Sequence, residues 1–450
     1  LGTEAAGTGA VNPVQSIDFA IARSSHEEIG FLAQSRRCRN LWIVGFALMG
    51  LMLKVVIAFN TFGTNDVAAF YTFSRSLADH GLEWTYRNGI VWFSGLPIFN
   101  HPPLTAYYLQ LIGHVSRQEF FRSYGLTFPF LLRLPGIVAD FVVVLVLVQL
   151  SATDARFRIP SWALALFAIS PVSLMVSGFH GNTDPVVVMF LFLAAYMCLR
   201  ERPILSGIFF ALSCQVKVIP FLFLPIIFFF WLARGATMRF TIPFVLLSVT
   251  MWAEPLIKFP TLFLKNVFSY GSFWGEWGFT YWLRLTQLPQ FNGTRPFNLP
   301  WSAAAVALLF KVGIVAAVLV IAWRRRYLRE RAVIDSIACA WIIFFVFSPG
   351  ICVQYMVWLA PFILILSPAL YAWLVFTSSV FLFFFYNTIA GGLPWYIAIS
   401  TNKLDALNLW VPWSLWPWAT LIFGMILLWK KAVAADPLLR LFSLQTLREP

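Results

Sequence analysis

The chain has 450 residues, of which 60% are hydrophobic and only 11% charged, with 47 Phe and 20 Trp. A soluble domain carries about 25% charged residues and cannot hide this much apolar surface, which excludes a soluble enzyme, a disordered chain and a nucleic-acid-binding domain. The +13 net charge follows a membrane topology instead.

Residues 1–40 are polar: 1–16 read as unstructured, 17–34 as a short surface helix, and nothing as a cleaved signal peptide. Runs near the length of a membrane helix, about 20 apolar residues, then recur. Twelve are read: 41–60, 127–150, 160–178, 184–199, 203–216, 218–233, 240–256, 301–323, 333–349, 351–366, 368–388 and 411–429. With the N-terminus in the cytoplasm, the cytoplasmic segments hold Arg36, Arg37 and Arg39, then Arg156 and Arg158, Arg200 and Arg202, and Arg234 and Arg239. The run Arg324-Arg325-Arg326 and the pair Lys430-Lys431 follow. Each of these loops is basic, and the reverse orientation fails, so both termini are expected in the cytoplasm.

Two outside segments, 61–126 and 257–300, are too long to be mere connectors, and a third spans 389–410. The first reads as two helices lying on the membrane surface. One runs from Asp66 to Asp79. The other opens at His101-Pro102-Pro103, where proline suits a helix start, and its dozen apolar residues suit an interface better than a span. Asn292-Gly293-Thr294 in the second loop is a glycosylation sequon. Cys38, Cys198, Cys214, Cys339 and Cys352 lack metal-ligand spacing and read as small apolar residues.

Asp66, preceded by Gly63-Thr64-Asn65, is read in two ways: an ordinary helix N-cap, or a general base at the membrane–water boundary. His180, Asn182 and Asp184 share an outer turn, with capping by Asp184 as the plain alternative. Lys217 is a charge in an apolar stretch, either functional or snorkelling to the interface. Arg133 shares a helix face with Asp140, seven residues on, so an ion pair competes with a ligand-binding role. Arg117, Arg122, Lys258, Lys265, Arg284 and Arg295 are further outside cations, and Glu254 and Glu276 are spare outside carboxylates.

Several stretches, in order, resemble the GT-C superfamily of polyprenyl-phosphate-sugar-dependent glycosyltransferases. Asp66 just beyond the first span, followed by an interfacial helix opening Pro-Pro-Leu-Thr-Ala-Tyr, is the first. Phe99 to Tyr107 closely resembles the dolichyl-phosphate-glucose-dependent glucosyltransferases, with His101 in place of their usual aromatic residue. Leu132 to Asp140 is similar to the Arg-Leu-Pro-x-x-x-Ala-Asp opening of the second span in bacterial polyprenyl-phosphate-mannose-dependent members. His180-Gly181-Asn182-Thr183-Asp184 looks like the family's Gly-Gln-x-Asp or His-Phe-Gln-Tyr-Asn loop. Val216 to Pro220 resembles its Leu-Lys-x-x-Pro element, and Ser348 to Tyr355 its late outside turn.

The resemblance implies an all-α polytopic membrane bundle of about twelve transmembrane helices, GT-C-like, with interfacial helices in the first outside loop. It divides the chain into a cytoplasmic segment 1–40, a catalytic module 41–256, an outside loop 257–300, C-terminal helices 301–429 and a cytoplasmic tail 430–450. It implies inverting transfer of a hexose, mannose or glucose, from a polyprenyl-phosphate donor to a glycan or glycolipid acceptor at the outer or lumenal face. A bacterial plasma membrane is expected before an endoplasmic reticulum. Asp66 takes the base role by resemblance. Lys217, Arg133, Gln354 and Tyr355 are candidates for the donor phosphate, and His101, His180, Asn182, Asp184 and Glu276 for substrate. The partners implied are the lipid-linked donor, the acceptor and membrane lipids, with no nucleic acid. No cofactor is required: the leaving group is a single phosphate, Asp-x-Asp is missing, and a divalent cation has little support. The competing reading is a lipid-linked sugar transporter or flippase, for which the deep charges Lys54, Asp140 and Lys311 are the features to follow.

Overall fold

The computed structural model describes residues 40–90, 98–268, 274–286, 288, 299–399 and 409–435. The surface helix expected at 17–34, the sequon and Arg295 lie outside them. Every one of the twelve apolar runs is helical. They are α1 (Asn40–Asn60), α4 (Phe128–Thr153), α5 (Ser161–His180), α6 (Asp184–Leu199), α7 (Pro203–Val216), α8 (Ile219–Leu232), α9 (Thr237–Lys258), α10 (Trp301–Arg325), α11 (Arg331–Phe347), α12 (Val353–Leu366), α13 (Pro368–Ala390) and α14 (Val411–Lys430). Among the described residues, seven are long and apolar enough to cross a membrane. The chain is a polytopic helical membrane protein.

The first outside loop forms α2 (Asn65–Asn88) and α3 (Pro103–Val115). α2 is broken by a kink at Gly81, whose φ of 84° is non-helical, so its first segment ends beside the expected Asp79 and a second continues to Asn88. A feature the sequence did not announce is a two-residue parallel pairing of β1 (Gly63–Thr64) with β2 (Ile397–Ala398), which ties the exit of α1 to the third outside stretch.

Length sorts the helices. α6 and α7 have 16 and 14 residues, roughly 24 and 21 Å at 1.5 Å per residue, against a hydrocarbon core of about 30 Å. α6 packs against α4, α7 and α11, and Leu191, Phe192, Ala194 and Ala195 are wholly buried. Longer α1 and α10 lie outside and expose Met52, Leu308 and Leu309. Irregular backbone at membrane depth is tolerable only where protein encloses it. Short central helices, each begun by a proline (Pro185, Pro203, Pro220), create enclosed helix ends of that kind.

The basic loops gather at one end of the bundle. Arg156 pairs with Asp154 at 2.7 Å and with Glu330 at 2.8 Å, and Arg234 reaches Glu330 at 3.4 Å. Of the deep charges, Lys54 and Asp140 pair at 2.8 Å. Asp140 also accepts from Ser177 at 2.6 Å and from Ser173. Lys311 is exposed on α10.

Candidate active site

At the other end of the bundle, the termini of α1, α5, α7 and α13 meet the starts of α2, α6 and α12. Arg133 organises this junction. The last carbonyls of a helix lack intrahelical donors and carry partial negative charge. The Arg133 guanidinium, 1% exposed, supplies those donors to two helix ends at once. Nη2 donates to Ala58 O at 3.0 Å in the last turn of α1, and to Thr61 O at 2.5 Å and Phe62 O at 3.3 Å just beyond it. Nη1 donates to Gly178 O and Phe179 O, both at 3.1 Å, at the end of α5, and to Thr61 Oγ1 at 2.8 Å. Nε donates to Pro129 O at 2.8 Å. Its donors are therefore spent on carbonyls and a hydroxyl. Neither the phosphate contact nor the Asp140 ion pair considered from sequence describes it, because Asp140 lies two turns deeper with Lys54.

The last turn of α5, Leu174–His180, is a π-helix, a form often found at functional sites. It delivers His180 toward the start of α2. Two glycines let the strands of chain touch. Gly63 has φ 101°, and a Cβ there would stand 2.8 Å from Phe179 O. Gly181 has φ 83°, and its Cβ would stand 2.3 Å from Val67 Cγ2. Thr64 caps α2, accepting from Asp66 N at 3.4 Å and donating to His180 O at 2.8 Å. The cap is thus Thr64, and the Asp66 carboxylate is left for other work.

That carboxylate is lopsided. Oδ2 accepts from Asn182 Nδ2 at 2.5 Å, from His180 Nε2 at 3.0 Å and from Gln354 Nε2 at 3.3 Å. Oδ1 has no hydrogen-bond partner among the described residues, and the side chain is 35% exposed. Burial, the largest influence, pushes the carboxyl up. The electrostatic influence of His180, its hydrogen bond, the Lys217 charge and the Asn182 hydrogen bond together outweigh burial and hold it at about 2. Asp66 is an anion at any physiological pH.

Lys217, in the extended residue after α7, donates to Asp184 Oδ1 at 2.8 Å, and Trp358 Nε1 donates to the same oxygen at 2.5 Å. The ammonium lies 5.3 Å from the Tyr355 ring centroid and 5.7 Å from that of Trp358, within cation–π range. Asp184 is wholly buried, and its Oδ2 has no hydrogen-bond partner among the described residues. His101, just before α3, packs its ring 5.2 Å from Phe70 and 5.8 Å from Phe99. Burial, then the Lys217 charge, lower it to about 3 against the pull of Asp66 and the Val216 backbone, so it is a neutral imidazole beside the carboxylate.

Of the residues singled out from sequence, Asp66, His180, Asn182 and Gln354 form one hydrogen-bonded cluster. Lys217, Asp184 and Tyr355 form a second, coupled to it electrostatically. Glu276 is not bonded to Asp66; it occupies a turn where its carbonyl accepts from Ser414 at 3.1 Å. Glu254 is taken by Lys258 at 3.0 Å and Tyr107 at 2.8 Å, and Arg117 donates to Gly113 O at 2.9 Å. Trp358 and Tyr386 were missed. Tyr386 closes a Phe-rich run, 381–385, that reads as lipid-facing or core helix, and its one signal was a polar handle on an aromatic ring at a helix end. Among the described residues, no three His, Cys, Asp or Glu side chains are grouped to hold a metal ion.

The junction therefore sets a carboxylate with one oxygen held by three donors near an ammonium paired with buried Asp184. A family model, glycosyltransferase family 87, matches residues 120–349. No curated protein matches the chain.

Proposed function

The chain belongs to glycosyltransferase family 87, a GT-C-type family of polyprenyl-phosphate-sugar-dependent membrane enzymes, and on that premise we propose the reaction it carries out. It moves a hexose, mannose or glucose, from a polyprenyl-phosphate donor to a lipid-linked or cell-envelope acceptor, with inversion, at the outer face of a bacterial plasma membrane. The observation that carries this reading is the Asp66 carboxylate, with three donors on Oδ2 and, among the described residues, none on Oδ1.

In the proposed step, Oδ1 takes the proton of an acceptor hydroxyl. The acceptor oxygen bonds to the anomeric carbon as the bond from that carbon to the phosphate oxygen breaks, and the lipid phosphate leaves with the electron pair. A carboxyl held near 2 is a weak base, so its proton transfer belongs late, when the attacking oxygen has already become acidic. Lys217 is close enough for its charge to act on Asp66, and it stabilises the leaving phosphate. Tyr355 and Trp358 flank the ammonium and restrict water around it. The outer face is supported by the basic loops at the far end of the bundle, about 30 Å from Arg133 along α4.

The test is sugar transfer by purified protein from a panel of polyprenyl-phosphate hexoses, comparing wild type with Asp66→Asn. Expected is transfer that falls at least about a thousandfold in the variant while donor binding persists. Full activity in Asp66→Asn refutes the base assignment, and failure of wild type to bind any lipid-linked sugar refutes the donor class.

A further inference from the structure

Asp66 has a partner's partner that neither the sequence nor the family match brings forward. Tyr386, in the last turn of α13, is wholly buried, and its hydroxyl lies 2.9 Å from His180 Nδ1. The other ring nitrogen of His180, Nε2, lies 3.0 Å from Asp66 Oδ2. An ionised carboxylate only accepts, so Nε2 carries a proton. The tyrosine proton has no other acceptor among the described residues, and a buried hydroxyl proton without one is costly. Only one arrangement partners both protons: Tyr386 O–H to Nδ1, and Nε2–H to Oδ2.

We propose that Tyr386 is a positioning residue for the base. By donating to Nδ1 it holds the His180 imidazole in the Nε2–H tautomer. That commits Oδ2 to accepting and leaves Oδ1 as the oxygen that faces the acceptor hydroxyl. The opposite tautomer would set a nitrogen lone pair against Oδ2 and turn the carboxylate away. The inference rests on the reading of Asp66 as base.

The Tyr386 ring also packs, with centroids 5.4 Å from Phe179 and 5.5 Å from Trp395. Tyr386→Phe keeps that packing and deletes only the donor. The experiment uses full-length protein in lipid nanodiscs with ¹⁵N-labelled histidine, its His180 signals identified by their loss in His180→Asn. Expected in wild type is an unprotonated Nδ1 with a protonated Nε2, and in Tyr386→Phe a mixture of tautomers. kcat should fall about ten- to a hundredfold with the donor KM within about twofold. A protonated Nδ1 in the neutral ring of wild type overturns the assignment. So does unchanged kcat in Tyr386→Phe, or a lower kcat with an unaltered tautomer. Full activity of Asp66→Asn is a separate failure: it removes the base, and with it the purpose given to Tyr386, while the histidine spectrum stays as described.

Discussion

Gly181→Ala is the sharpest probe of how the site is assembled, because the obstacle it creates can be measured in advance. The new Cβ would lie 2.3 Å from Val67 Cγ2, whereas ordinary contact begins at 3.4 Å, so the turn carrying His180 and Asn182 must retreat from α2 by about 1 Å. Misplacement on that scale costs about a hundredfold in rate. The left-handed φ of 83° adds strain of about 1–3 kcal/mol, which space alone does not relieve. Val67 follows Asp66 and is wholly buried. Val67→Ala removes the methyl that the new Cβ strikes, so the double variant should regain about tenfold of the lost rate and keep the strain. The assay is kcat for transfer alongside thermal inactivation in detergent, run as a double-mutant cycle. Rates within threefold of wild type in Gly181→Ala, or effects of the two changes that simply add, refute the idea that close approach of these backbones sets the Asp66–His180 geometry.

Lys217→Gln should destabilise the protein by about 3–5 kcal/mol, since it leaves the buried Asp184 charge unpaired. Adding Asp184→Asn should restore the melting temperature but not the donor KM, and recovery of both would reduce the lysine to a structural partner. For pH, the Asp66 carboxyl sits below its ordinary value of 3.8, at about 2. It is ionised throughout the range above about 4, and the stability that its partners give it is lost only as pH falls from about 4 through 2. Wild-type kcat should therefore show no acid limb from this group above about pH 4, while His180→Phe should move such a limb upward. A wild-type limb near neutrality that survives His180→Phe contradicts the assignment.

The bundle was legible because its signals are local. Runs of apolar residues report helices one segment at a time, and all twelve runs are helices. The site was legible only as a set of residue types. Asp66, His180, Asn182 and Lys217 stand out as polar residues at apolar boundaries, but nothing local says which pairs with which. Asp140, on the same α4 face as Arg133, is bound instead to Lys54 on α1. Arg133 was misjudged for the same reason. Its partners are backbone carbonyls of α1 and α5, and a carbonyl has no letter in the sequence. Tyr386, roughly 200 residues beyond His180, is visible only once α13 and α5 end at the same level.

These misreadings share a physical origin that also explains how the site holds together. At the junction, polar side chains are bonded to backbone groups at helix ends, so part of the polar network is backbone. Arg133 neutralises two helix C-termini, and Thr64 satisfies a carbonyl of α5 and an amide of α2 together. With those groups settled, the side-chain donors His180, Asn182 and Gln354 are free to converge on a single carboxylate oxygen. A carboxylate left to itself beside two helix C-termini would meet their partial negative charge and rotate away from it. Here the guanidinium cancels that field and three donors fix the rotation. The orientation of the Asp66 carboxylate is therefore a consequence of how the helix ends are capped, and changes to the buried Arg133 or Thr64 should act on the proposed reaction through that carboxylate.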